Sequence, residues 1–85
     1  MKMYSIYDKK MGSYMVPMFV KHIVEIQRNM IQVMSNEKSL VAQFPTDFEV
    51  YLLGEFNDKT GELTLKSKPE FQFNASDLTE TEKAT

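Results

Sequence analysis

One histidine, His22, and no cysteine stand in this chain of 85 residues. Cysteine nucleophiles, thiolate zinc sites, disulfide frameworks and any metal site built on two imidazoles are thereby excluded. No serine, carboxylate or glycine-rich elbow is arranged around His22 as a nucleophile would require, so it reads as a surface histidine at a helix start. The carboxylates Asp47, Glu49, Glu55, Asp58 and Glu62 fall at strand ends, on solvent faces and in a turn, the pattern of solvated charge rather than of an acid/base pair. Three glycines cannot hide a phosphate loop or a dinucleotide fingerprint, and no metal-loop spacing occurs. The residues point to a protein that is no enzyme and carries no cofactor or metal.

Aromatic and basic side chains remain as candidates. Tyr4, Tyr7 and Tyr14 lie on or beside the first predicted hairpin with Lys2, Lys9 and Lys10 close in sequence, Lys21 follows that hairpin, and Tyr51 lies on the clearest strand of the chain. Rings interleaved with lysines on a sheet suit single-stranded nucleic acid, because every base offers a π-face and every phosphate a charge. The same rings would serve equally to pack a homodimer or the domain's own core, and both alternatives stay open. Net charge narrows the nucleic acid class. The chain carries −2, with residues 1–69 near +1 and residues 70–85 at −3, whereas a clamp on duplex DNA needs a strong basic excess to neutralise phosphates.

The elements that must hold these residues are legible from periodicity. Lys2 to Asp8 is β-prone, Asp8 to Ser13 is a polar connection with Gly12, and Tyr14 to Val20 is the returning strand, placed at a sheet edge because Pro17 cannot donate to a ladder. From Ile23 to Met34 the period becomes helical. Ile23, Val24, Ile26, Met30, Ile31, Val33 and Met34 fill an arc of about 180°, and Gln27 intrudes on it. Ser39 to Phe44 allows a short helical turn before Pro45 stops it. Phe48 to Phe56 alternates, with Phe48, Val50, Leu52 and Phe56 on one face and Glu49, Tyr51, Leu53 and Glu55 on the other. Asn57 to Gly61 makes a turn, Glu62 to Lys66 resumes the strand pattern, and Phe71 and Phe73 are spaced for one more short strand or a docking arm. Most of the seven methionines are placed as core filler.

The expected fold is α+β: an antiparallel sheet of about four strands in ββαββ order, with one main helix on one face. Residues 1–73 form the single domain and residues 74–85 an acidic tail, expected to be mobile and dispensable for folding from residue 76 onward. One helix covers only one sheet face, so the other face, with Tyr51 and Leu53, is left for binding or for a second copy. The longest apolar stretch, Tyr14 to Val20, is seven residues and contains Pro17, too short and too interrupted for a membrane span or a signal peptide.

The opening Tyr4-Ser5-Ile6-Tyr7-Asp8-Lys9-Lys10, the Pro17-Met18-Phe19 that follows, and above all the run from Phe44 to Gly61 resemble the small nonstructural protein of gokushoviruses, single-stranded-DNA phages of the Microviridae. The resemblance covers roughly residues 3–65. Its most specific block is Pro45-x-Asp47-Phe48 leading to Gly54-x-Phe56-x-Asp58-x-x-Gly61. It implies a nonstructural, DNA-binding product acting in the host cytoplasm during single-stranded DNA synthesis or the switch from replication to packaging, with no catalytic residues attached to the motif. A protein interaction module for the phage replication initiator or a host factor is the alternative. Pro45 breaks the preceding turn, Phe48 enters the core, Gly54 permits a bulge or close approach and Gly61 closes the hairpin, so the block marks kinship without locating a site.

Overall fold

The structure is a computed structural model and describes residues 1–78. In chain order the elements are β1 (Lys2–Asp8), β2 (Ser13–Tyr14), β3 (Met18–Val20), α1 (Ile23–Met34), α2 (Leu40–Gln43), a 3-10 turn (Pro45–Asp47), β4 (Phe48–Phe56) and β5 (Leu63–Asn74). Residues 75–78 add a helical turn. The class is α+β with an antiparallel sheet, as expected, but the sheet has five strands and the order is not ββαββ. Pro17 is the cause: it divides the returning strand into β2 and β3, both paired with β1 and both on the sheet edge. The short helical turn expected between Ser39 and Phe44 is present as α2, where the Ser39 hydroxyl accepts the Ala42 N–H at 3.1 Å and starts the helix.

Across the sheet the order is β2-β1-β4-β5, with β3 beside β2 on the outer side of β1. The two central strands are therefore the first and the fourth in the chain. Among the described residues helices cover one face alone, and the shortest dimension, 18 Å, is that of one sheet and one helical layer. The core between them joins Tyr4, Phe48, Val50 and Leu52 from the sheet to Ile26 and Met30 of α1, Val41 of α2, and Ala75 and Leu78. The buried seam of α1 is narrower than the sequence arc. Val24 and Val33, nine residues apart and so on opposite rims of it, are exposed.

Residues Ala75 and Leu78 correct the expected domain boundary, because both are buried in the core. The Asp77 carboxylate accepts the Asn74 N–H at 3.1 Å and turns the chain from β5 back over the covered face. The rest of the acidic tail lies outside the described residues. Ending the chain after Ala75 should lower the melting temperature by about 10 °C, since a buried leucine is worth roughly 2 kcal/mol and a domain of this size shifts about 4–8 °C per kcal/mol. Ending it after Leu78 removes no large apolar side chain and should change little. Equal melting temperatures for the two truncations would show that Leu78 does not hold the fold.

Three irregularities in the ladders redirect side chains. Tyr4 pairs with Leu52 and Met3 with Gly54, so Leu53 is one extra residue on β4. Past it the alternation inverts, and Phe56, expected on the helix side, turns to the open face and meets Phe19 at 5.9 Å between ring centres. Against β5, Val50 pairs with Phe73 and Tyr51 with Phe71, which leaves Gln72 unmatched. Phe73 consequently packs on the core while Phe71 points to the open face. The third is larger: Leu52 pairs with Glu70 but Gly54 with Leu65, so residues 66–69 of β5 loop outward, closed by a Lys66 to Glu70 ion pair at 2.7 Å.

Candidate nucleic-acid interface

Strand order turns scattered tyrosines into a row. Tyr7 on β1 pairs with Tyr14 on β2, Ser5 with Tyr51 on β4, and Tyr51 with Phe71 on β5. One ring from each of β1, β2, β4 and β5 thus joins a row on the uncovered face. Ring centres are 4.6 Å apart for Tyr7 and Tyr14, 6.0 Å for Tyr7 and Tyr51, 5.6 Å for Tyr14 and Tyr51, and 5.8 Å for Tyr51 and Phe71. Interplanar angles of 73–84° at Tyr51 place ring edges against ring faces, the arrangement the aromatic quadrupole favours. Tyr14 and Phe71, at 44% and 48% exposure, keep free ring surface at the two ends, while Tyr7 and Tyr51 are half-buried between them.

A carboxylate is built into this row. Glu49 pairs with Tyr7 on one side and Asn74 on the other, and its Oε1 accepts the Tyr51 hydroxyl at 3.0 Å. Burial, and after it the bond to Glu49, pushes the Tyr51 phenol above its ordinary pKa. Below the row, the buried Ser5 hydroxyl donates to the Met15 carbonyl at 2.6 Å, fixing the segment between β2 and β3 to the sheet.

Tyr4 does not belong to the row. It is 3% exposed and lies in the core under α1. The sequence does carry the signal, for Tyr4 and Tyr7 are three residues apart and a strand sends such residues to opposite faces. Phe71 is the converse case: its place depends on the bulge at Gln72, which no local pattern announces.

The lysines are not gathered around the rings. Lys2 shares the Tyr4 side of β1 and pairs with Glu55 at 3.1 Å, which holds the lysine above and the carboxylate below their ordinary pKa values. Lys9 and Lys10 are exposed in the β1–β2 turn, whose backbone is fixed by the Asp8 carboxylate accepting the Lys10 and Met11 N–H groups at 3.0 and 3.1 Å. Lys10 also lines a shallow apolar cavity with Met11, Leu40 and Phe44. Lys21 is at the far end of the sheet beside Val20, which pairs with Lys2. The length of β1, roughly 20 Å, separates it from Lys9 and Lys10. Its N–H and that of His22 donate to the Glu25 carboxylate at 2.9 and 3.0 Å, and these two bonds lower the Glu25 pKa. His22 is the N-cap of α1. An exposed cation that sequence reading passed over is Lys68, in the outward loop of the strand that carries Phe71.

No curated protein and no solved structure matches the chain. One family does. The profile described as phage ORF5 protein matches residues 1–78, which includes every element of the fold and all four rings of the row. The chain belongs to the phage ORF5 protein family.

Proposed function

We propose that this phage protein is non-enzymatic and binds single-stranded DNA across the ring row of its open sheet face. The resemblance to gokushovirus nonstructural proteins favours a role in Microviridae genome replication or the switch to packaging, in the host cytoplasm. The observation that carries the reading is the continuous contact of Tyr14, Tyr7, Tyr51 and Phe71 on a face that no helix covers among the described residues. Bases would stack on the two exposed end rings, with Lys9, Lys10 and Lys68 as phosphate contacts. Tyr4, Lys2 and Lys21 take no part in this form of the proposal, being buried, ion-paired and remote.

Phe71→Ala or Tyr14→Ala should weaken single-strand binding about tenfold, since a stacked base is worth roughly 1–3 kcal/mol. Melting temperature should move by only a few degrees. Replacing Lys9 and Lys10 together by alanine should flatten the dependence of affinity on salt. Fluorescence titration with labelled oligonucleotides checks all three. Absence of binding by the wild type at low salt and about 50 µM protein, far above the range of useful single-strand affinity, would refute the proposal.

A second reading is favoured by the Phe19–Phe56 pair, which extends the apolar surface beyond the row, and by Glu49, which makes the row locally acidic. Such a face suits a homodimer, or a phage or host replication protein. Under that reading Phe71→Ala changes the sedimentation of the protein and leaves DNA irrelevant.

A further inference from the structure

We infer that Glu49 is the specificity-determining residue of the open face, selecting bases that carry an exocyclic amino group (cytosine, adenine, guanine) over thymine. The inference rests on the single-strand reading above. Its basis is position: Glu49 shares the face with Tyr7 and Tyr51, stands between Tyr7 and Asn74 in the sheet register, and is half-exposed. One of its oxygens is oriented by the Tyr51 hydroxyl at 3.0 Å. That bond uses a single acceptor position, and an ionised carboxylate has about four and no donor. The remaining acceptor positions are left for a ligand on this half-exposed face.

Charge then decides which part of a nucleotide comes near. A carboxylate repels phosphate, so the sugar-phosphate chain must pass away from Glu49 and turn base edges toward it. Cytosine offers its 4-amino group, adenine its 6-amino group, and guanine an N–H and an amino group side by side. Thymine offers one N–H flanked by two carbonyl oxygens, both of which the carboxylate repels. A platform of rings alone would accept all four bases, because every base has a π-face. Glu49 converts that tolerance into a preference.

The test is anisotropy titration of oligocytidylate and oligothymidylate, each of roughly 12 nucleotides, with the wild type and with Glu49→Gln. Glutamine keeps an acceptor for the Tyr51 hydroxyl, removes the charge and adds a donor that a thymine carbonyl can use. Wild type should bind oligocytidylate about tenfold more tightly than oligothymidylate, a ratio within the range of one good base contact. In Glu49→Gln the two affinities should come within about threefold, chiefly through a gain for thymine, with an unchanged melting temperature. Equal affinities in the wild type, or a preference that survives in Glu49→Gln, would overturn the role of Glu49 while leaving single-strand binding in place. Failure to bind either oligonucleotide would overturn the binding reading, and this inference with it.

Discussion

Tyr4→Ala should lower the melting temperature by about 15 °C or more and give a largely unfolded protein near physiological temperature. The ring is 3% exposed and packs among Ile26, Met30 and Leu52 under α1. Removing a buried aromatic ring costs roughly 3–5 kcal/mol, a large share of the stability of a chain of this size, roughly 4–13 kcal/mol. Tyr4→Phe keeps the packing and should melt within a few degrees of the wild type. An alkaline titration adds a second readout. Burial raises the Tyr4 pKa above 10.0, so the folded state holds its proton after the unfolded state has released it. Stability is then intact below pH 10 and is lost as pH rises through the folded value. Tyr4→Phe should lessen that loss. Wild-type melting by Tyr4→Ala, with reduced DNA binding, would instead put the ring on the binding surface.

Gly54→Ala should destabilise the protein by about 1–3 kcal/mol, the usual cost of forcing a methyl group into filled space. A side chain at this position would overlap the Thr64 carbonyl oxygen and sit 3.0 Å from the Leu65 Cα, both backbone atoms of β5. The strand would have to move, because no side chain can rotate away. Movement of β5 should also loosen Phe71 from Tyr51, so single-strand affinity is expected to fall with stability. Gly61 has a different reason for its identity: its surroundings are open but its φ is 80°, and Gly61→Ala should cost about 1–2 kcal/mol for the left-handed backbone alone. Denaturant unfolding separates the cases. A Gly54→Ala variant within about 0.5 kcal/mol of wild type, the range of an ordinary surface change, would show that β5 is not pressed against β4 there.

The run from Phe44 to Gly61, on which the sequence resemblance chiefly rests, contains several fold determinants. Pro45 opens the 3-10 turn, Phe48 enters the core, Gly54 lets β5 approach and Gly61 closes the hairpin. None of these four is a ring of the open face, but Tyr51 and Phe56 of the same run are, so the run holds both fold determinants and part of the open face.

Sequence by itself determined whatever depends on near neighbours. Alternation over Phe48 to Leu52 decided which face of β4 is core, the helical period placed Ile26 and Met30 on the buried side of α1, and Pro17 put its strand at the edge. These follow from backbone geometry that repeats every two residues or every 3.6. Tertiary structure decided the rest, because bulges and strand order arise from pairings between distant segments. Leu53 inverts the end of β4, Gln72 divides Phe71 from Phe73, and residues 66–69 leave the ladder, each only because a partner strand keeps its own register. Leu78 looked like tail because a single leucine among polar residues has no period to be read. Only its burial with the residues of β4 and α1 in the folded chain makes it core. The ring row likewise exists because β1 and β4, first and fourth in the chain, lie side by side, so that Tyr7 and Tyr51 come within 6.0 Å across 44 residues of sequence.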